Sequence, residues 1–178
     1  MVQFAAILHE YDTSTHQLTE IDRINQFVYS PIPIPSDATR VHGITDERVA
    51  HEPKISACID SILDFFHRAD VAVAHNIDFD SLVIEVQLER LGRPKKFLPE
   101  QTIDTMKLTT DLCQLPKRNG APGYKYPNLS ELHTHIFGQD FAHAHDAMYD
   151  VEATVNCLQE LLFDEVISIE STDEMRLF

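Results

Sequence analysis

The chain has 178 residues, of which 43% are hydrophobic and 24% charged, a composition that indicates one soluble globular domain with a substantial core. Its formal net charge of −15 disfavours a protein that grips long nucleic acid over its whole surface, because such binding needs Lys and Arg to neutralise phosphates. Three widely spaced cysteines, no signal-like start and no membrane-length apolar run argue against a disulfide framework, secretion and membrane insertion, so the reducing cytoplasm is the expected compartment.

The first part of the chain predicts a β-hairpin followed by a stiff extended segment. Residues 2–8, VQFAAIL, form a short apolar run that is typical of a buried strand, and residues 24–29 alternate well enough to pair back on it. Residues 10–20 between them are polar and are predicted as a turn. Prolines at every second position from Pro31 to Pro35 then stiffen the exit.

The rest of the chain alternates helices with short strands. Apolar residues at helical spacing predict helices over residues 56–68, 79–91, 105–112, 129–137 and 146–162. Thr45 is a candidate N-cap for a short helical turn at 47–50. Asn128 or Ser130 is a candidate N-cap for the helix at 129–137. Buried strands are predicted at 71–74 and from 102, and residues 166–170 are predicted as a tail strand or as disorder. This pattern predicts an α/β fold with a mixed sheet covered by helices.

Two acidic residues and one histidine lie where predicted helices begin. Asp80 follows the strand at 71–74, close to the positive end of the next helix dipole. His145 and Asp150 are five residues apart at the start of the last long helix. Because five residues at about 100° each place two side chains on different faces, a shared site requires His145 in the loop just before the helix. The spacing alone favours an ordinary helix-entry histidine with an exposed aspartate.

The chain resembles the DEDD superfamily of 3'-5' exonucleases in five segments in register: VHGIT (41–45), AHNIDFD (74–80), IDT (103–105), NLSELHTHIFG (128–138) and HDAMYD (145–150). The histidine-containing DEDDh branch, the group of RNase T and the proofreading subunit of bacterial replicative DNA polymerase, fits best. The resemblance implies an α/β, ribonuclease H-like mixed sheet flanked by helices. It also implies an exonuclease-type domain over residues 1–163 and leaves residues 164–178 as an acidic C-terminal tail.

The resemblance also implies a role for each matching residue. Asp80 and Asp150 would be metal ligands, and His145 would be the general base that takes the proton of the attacking water. Contacts to the bound 3' nucleotide would come from His42, Gly43, Asn76 and Phe79. Two Mg²⁺ or Mn²⁺ ions about 4 Å apart would activate the water and stabilise the leaving alkoxide. The expected partner is single-stranded or 3'-end nucleic acid, with DNA and RNA both open.

The chain departs from this family at its beginning. The first motif, Asp-x-Glu, closes a strand upstream of the strand that matches residues 2–8, and nothing here matches it, so two of the four metal-binding carboxylates are absent. We therefore expect an N-terminally incomplete domain whose first central strand is missing and whose two inner sheet edges lack a partner. A missing upstream segment or a second copy, in a homodimer, is expected to fill the slot. Glu10 and Asp12 are disfavoured as substitutes because they lie in a predicted turn.

Two other interpretations are weighed against the nuclease. A catalytically incomplete nucleic-acid-binding or interaction module would keep the fold and lose turnover, and the absent carboxylates favour it. A zinc hydrolase would use the cluster His133, His135, His143 and His145. The zinc hydrolase is disfavoured because His-x-His pairs on a helix point to different faces and no HExxH motif is present.

Overall fold

The structure is a computed structural model that describes residues 1–142, 145–169 and 175–177. Its strands are β1 (Gln3–Asp12), β2 (Gln17–Phe27), β3 (Val71–Ala74), β4 (Gln101–Asp104) and β5 (Met175–Leu177). Its helices are α1 (Ser36–His42), α2 (Asp46–Val49), α3 (Ile55–His67), α4 (Ile77–Arg90), α5 (Thr105–Leu108), α6 (Thr110–Cys113), α7 (Leu129–Phe137) and α8 (Ala147–Phe163). None of these helices is long and apolar enough to cross a lipid bilayer.

The five strands form one mixed sheet in the order β2-β1-β5-β3-β4. β1 pairs antiparallel with β2, whereas β3 pairs parallel with β4. Alternate residues of β1, Phe4, Ala6 and Leu8, join a core cluster with α3 and α4, and α8 contributes to a second cluster with β3 and β4. The predicted α/β fold, a mixed sheet flanked by helices, is confirmed.

The hairpin is longer than the sequence predicts. The polar residues 10–12 and 17–20 belong to the two strands, so their prediction as a turn was wrong. The turn is confined to residues 13–16, where Oδ1 of Asp12 accepts hydrogen bonds from the main-chain N–H groups of Ser14 and Thr15 at 2.8 and 3.3 Å. Backbone pairing along β1 extends the strands beyond their apolar stretch, because a ladder needs no apolar side chains.

Helix ends follow the predicted caps. The Thr45 hydroxyl accepts a hydrogen bond from the N–H of Arg48, and Asn128 forms a capping box with Glu131. Gly138 ends α7 with a φ of 72°, a conformation that glycine adopts without steric cost. The helix α1 was missed, because none of its residues is buried and the segment therefore carries no apolar periodicity.

A cleft separates β1 from β3 in the middle of the sheet. It has a volume of about 750 Å³ and is lined mainly by apolar residues of β1, β3, α4 and α8. Within the described part of the chain, residues 3–8 of β1 pair only with β2, and residues 72–74 of β3 pair only with β4. The central cleft is therefore an interruption in the sheet with a strand edge on either side.

The C-terminal strand closes one end of this central cleft. β5 pairs antiparallel with residues 9–11 of β1, and Leu177 lies opposite Val71 at the start of β3. The main chain of Arg176 also exchanges hydrogen bonds with Asp70, at 2.9 and 3.0 Å. The prediction of a tail strand at 166–170 was wrong for residues 166–169, which form no strand, and residue 170 lies outside the described residues. The strand at 175–177 was not predicted.

Candidate active site

Asp80 is carried by the turn that joins β3 to α4. Asn76 occupies this turn with a φ of 81°, α4 begins at Ile77, and Asp80 lies in the first helical turn. A carboxylate at that position faces the positive end of the helix dipole. Asp80 is exposed to solvent and lines the central cleft.

His145 and Asp150 lie together at the start of α8. Asp146 caps the helix by accepting a hydrogen bond from the N–H of Met148 at 2.9 Å, and His145 precedes it with a φ of 80°. The main-chain N–H of His145 donates to Oδ1 of Asp150 at 3.1 Å. This bond ties the loop to the first turn of the helix. His145 is exposed and Asp150 is half-buried.

The structure brings Asp80, His145 and Asp150 to the same cleft, which all three line. Loss of hydration beside neighbouring protein atoms, together with the negative charges of Asp104 and Asp150, raises the pKa of Asp80 to about 6. Desolvation also raises the pKa of Asp150, against the hydrogen bond from the His145 N–H and the nearby imidazole. A carboxylate whose ionisation is opposed by nearby negative charges lies in a region that favours a bound cation.

The end of the central cleft that carries Asp80, His145 and Asp150 lies opposite the end that β5 closes. Leu177 pairs at the beginning of β3, whereas the turn that carries Asp80 follows the end of β3. The apolar part of the cleft lies between them, and the carboxylates lie at its far mouth.

The four residues expected to contact substrate are placed differently from one another. His42 and Phe79 line the central cleft, and Phe79 is 61% exposed. Gly43 ends α1 with a φ of 74°, where a side chain would be strained. Asn76 does not line the cleft, and its N–H donates to Oδ1 of Asp104 at 3.1 Å.

Asp104 and Thr105 are site neighbours that sequence reasoning did not single out. They lie at the end of β4, beside the turn after β3, and both are buried. The IDT segment was noticed only as part of the resemblance. A signal was present, because the ends of parallel strands meet at the same edge of a sheet.

The substitutes and alternatives considered from the sequence lie elsewhere. Neither Glu10 nor Asp12 lines the central cleft, and Asp12 holds the hairpin turn. His133 is buried against the rings of Phe137 and Phe141, and its Nδ1 lies 2.8 Å from the Gln139 carbonyl oxygen, which is the environment of a core histidine.

Metal ligands are only partly present in this site. Carboxylate oxygens are the donors that Mg²⁺ and Mn²⁺ prefer, and Asp80 and Asp150 therefore fit two positions of such a site. Among the described residues, no group of three or more His, Cys, Asp and Glu side chains is arranged to hold an ion. His143, one member of the candidate zinc cluster, lies outside the described residues.

The raised pKa of Asp80 predicts that this carboxyl group contributes a loss of stability as the pH rises from about 4 to about 6. In this interval the folded protein holds a proton that the unfolded chain, with the ordinary value of 3.8, has already released. The unfolded state then binds fewer protons, so the free energy of unfolding falls with pH. Urea unfolding of the native protein and of Asp80→Asn across pH 4–7 measures this. With rising pH, the free energy of unfolding should fall less steeply, or rise more steeply, in Asp80→Asn than in the native protein. Equal slopes would contradict the raised pKa of Asp80.

Comparison with known proteins gives the family. The family model described as exonuclease, RNase_T, matches residues 1–158. The DNA polymerase III PolC-type protein of Streptococcus suis is 31% identical over 164 residues, which are 92% of this chain and 10% of that protein. The corresponding protein of Caldanaerobacter subterraneus is 31% identical over 87% of this chain and 10% of its own length. The chain thus spans about a tenth of the length of these curated relatives.

Solved structures give the same fold. Exonuclease X, in complex with 5' overhanging duplex DNA, superposes with a TM-score of 0.60 at 25% identity, covering 94% of this chain and 86% of that one. The nuclease domain of 3'hExo, a DEDDh family member bound to rAMP, gives a TM-score of 0.65 at 16% identity, over 92% of this chain and 80% of that one. The family model, which covers most of the chain, shows that this chain belongs to the exonuclease family.

Proposed function

We propose that this chain is a metal-dependent 3'-5' exonuclease-type domain that hydrolyses phosphodiester bonds at nucleic-acid 3' ends. The observation that carries the proposal is the convergence of Asp80, His145 and Asp150 on one cleft of an exonuclease-family fold. The negative charge of Asp150, at the start of α8, opposes the ionisation of Asp80, at the start of α4. Such an arrangement costs stability and is expected where a cation is bound.

The side chains divide the chemistry between them. Asp80 and Asp150 would supply oxygen ligands to Mg²⁺ or Mn²⁺, which when bound relieves charge on the phosphate and lowers the pKa of water. His145 is the general base, because it is exposed beside Asp150 and lines the same cleft. The bond from its main-chain N–H to Asp150 ties residue 145 to the first turn of α8.

Substrate contacts fall to the residues around the mouth of the cleft. The N–H of Ile44 donates to Nδ1 of His42 at 3.0 Å, so Nε2 carries the proton and is free to donate to a nucleotide. The exposed ring of Phe79 offers a surface on which a terminal base can stack. Gly43 would allow close approach of the backbone, and Asn76 would act from the turn beside Asp80. Single-stranded or 3'-end DNA and RNA are both candidate substrates.

We further propose that an additional segment pairs with the strand edges on either side of the interruption in the sheet. The unpaired edges of β1 and β3 face each other across a space that β5 fills at one end with a single strand. An extended segment of a longer chain, or of a second copy in a homodimer, would satisfy both edges and reach the carboxylates. We expect such a segment to complete the set of metal ligands.

One observation favours the alternative, a module that binds nucleic acid without turnover. The described residues include no group of three side chains arranged to hold a metal ion. The proposed compartment in either case is the cytoplasm, because Cys58, Cys113 and Cys157 are all free thiols buried in the core.

A single-strand cleavage assay tests the function. We expect 5'-labelled single strands to shorten from the 3' end one nucleotide at a time in Mn²⁺, and EDTA to stop the reaction. A terminal phosphorothioate linkage at the 3' end should slow it, whereas the same linkage at the 5' end should not. Internal cuts would contradict an exonuclease, and retention of the strand without cleavage would identify the module.

A further inference from the structure

We propose that Asp104 is a positioning residue that fixes the turn carrying Asp80, so that its loss displaces a metal ligand from its place in the site. The inference rests on the proposed function, since it concerns the same carboxylates. Asp104 lies at the end of β4, on the strand next to the one that leads to Asp80.

One oxygen of Asp104 joins the ends of two parallel strands. Its Oδ1 accepts hydrogen bonds from the N–H groups of Asn76 at 3.1 Å, Met106 at 3.1 Å and Lys107 at 3.4 Å. The last two are the free donors of the short helix α5, whereas the first belongs to the turn after β3. Asn76 has a φ of 81°, a left-handed conformation that asparagine adopts more readily than most non-glycine residues and that the bond to Asp104 helps to fix.

Thr105 attaches the same turn at a second place. Its Oγ1 lies 3.3 Å from the Ala74 carbonyl oxygen and 3.1 Å from Nδ1 of His75. Nε2 of His75 lies 3.0 Å from the Pro127 carbonyl oxygen, which only accepts, so in the neutral imidazole Nε2 carries the proton and Nδ1 is an acceptor. The single hydroxyl proton of Thr105 is then shared between Nδ1 of His75 and the Ala74 carbonyl oxygen. The residues 104 and 105 thus hold three successive residues, 74 to 76, immediately before the helix that carries Asp80.

The other oxygen of Asp104 is not explained by stability. Oδ2 is buried and accepts no hydrogen bond, and the nearest cation among the described residues is the Lys107 ammonium at 3.4 Å. An asparagine would serve the same three donors through its carbonyl oxygen and would bury no charge beside Asp80. The positioning role therefore belongs to Oδ1 and does not depend on the negative charge of Asp104.

Two substitutions separate the acceptor from the charge. Asp104→Asn keeps an oxygen for the three N–H groups and loses the charge, whereas Asp104→Glu keeps the charge and moves the acceptor by one methylene. The probe is Mn²⁺ alone, titrated into the full chain and followed by electron paramagnetic resonance, with hydrogen exchange of the Asn76 amide measured by NMR. We expect Asp104→Glu to bind Mn²⁺ about tenfold more weakly than Asp104→Asn and to lose Asn76 protection by a similar factor.

Asp78→Asn is the matched control. Asp78 is exposed and pairs with Lys107 at 2.6 Å. Its replacement removes a nearby negative charge without removing a hydrogen bond to the turn. Its Mn²⁺ affinity and Asn76 exchange should stay within about twofold of the native values. Urea unfolding of each variant separates an effect on the site from a general loss of stability.

A loss of Mn²⁺ affinity in Asp104→Asn with native behaviour in Asp104→Glu would assign the effect to the charge and overturn the positioning role. Equal losses in the two variants would overturn it as well, because the variant that keeps the acceptor in place should be the less affected. Should Asp104→Glu not fold, Thr105→Val takes its place, since it removes only the hydroxyl that holds residues 74 and 75. Native His75 nitrogen shifts and Mn²⁺ affinity in that variant would equally overturn the inference. If the native chain binds no Mn²⁺, the proposed function fails, while the Asn76 amide still reports whether Asp104 holds the turn.

Discussion

Replacing Asp150 with asparagine is expected to lower the rate of Mn²⁺-dependent removal of 3' nucleotides by at least about 100-fold, because a bound metal contributes several kcal/mol to stabilising the transition state. Asparagine keeps the size of the side chain and an oxygen that can accept the His145 N–H, so the start of α8 should be preserved. The rate of loss of the terminal nucleotide from a labelled single strand measures the effect, with far-ultraviolet circular dichroism as the check on folding.

Asp146→Asn is the control for this experiment. It removes the same charge four residues away, but asparagine caps a helix about as well as aspartate, so the Met148 N–H keeps its partner. Its cleavage rate should stay within about threefold of the native rate. A native rate in Asp150→Asn would assign the cleavage to another nuclease or to a site that does not use α8.

Much of the fold could be predicted because apolar periodicity reports burial. The helices α3 and α8 carry buried residues along one stripe, and the sequence placed each of their ends within one residue. The helix α1 has no buried residue, so there was nothing for periodicity to detect. The longer hairpin was missed for a related reason, since backbone pairing extends β1 and β2 into polar residues.

The candidate site divides in the same way. Asp80, His145 and Asp150 could be predicted to converge because they match linked motifs at the starts of two helices. Their roles remain predictions. Asp104 was not singled out, although its place at the end of the strand beside β3 was a signal. Its contacts are with main-chain N–H groups, and contacts of that kind leave no trace in side-chain patterning.

The filling of the interrupted sheet was the hardest feature to anticipate. The sequence predicted two inner edges without a partner, and an added segment or a second copy to fill the space. In the structure, β5 closes one end of the space. Its three residues pair with β1, from which they are separated by more than 160 positions in the sequence. Long-range pairing of so short a strand has no local signal, because three residues show neither periodicity nor a turn. The boundary of the predicted tail at residue 164 stays a prediction.

Arg176→Ala supplies the baseline for testing whether β5 belongs to the sheet. The Arg176 side chain is exposed, and the hydrogen bonds that link this residue to Asp70 use its main chain, which the substitution keeps. The free energy of unfolding should therefore change by less than about 0.5 kcal/mol.

Leu177→Ala is expected to lower the free energy of unfolding by about 2–4 kcal/mol, because the side chain is buried and its truncation leaves a cavity. Leu177 is 2% exposed and packs in the cluster that contains Val71 and Leu161, so it joins the strand edge of β3 to the helix α8. Guanidinium unfolding of the native protein, Leu177→Ala and Arg176→Ala in parallel measures the difference. If the two variants are equally stable, β5 does not bridge the sheet in solution. A selective loss in Leu177→Ala means that the last strand of the chain holds together the two halves of the sheet between which the carboxylates lie.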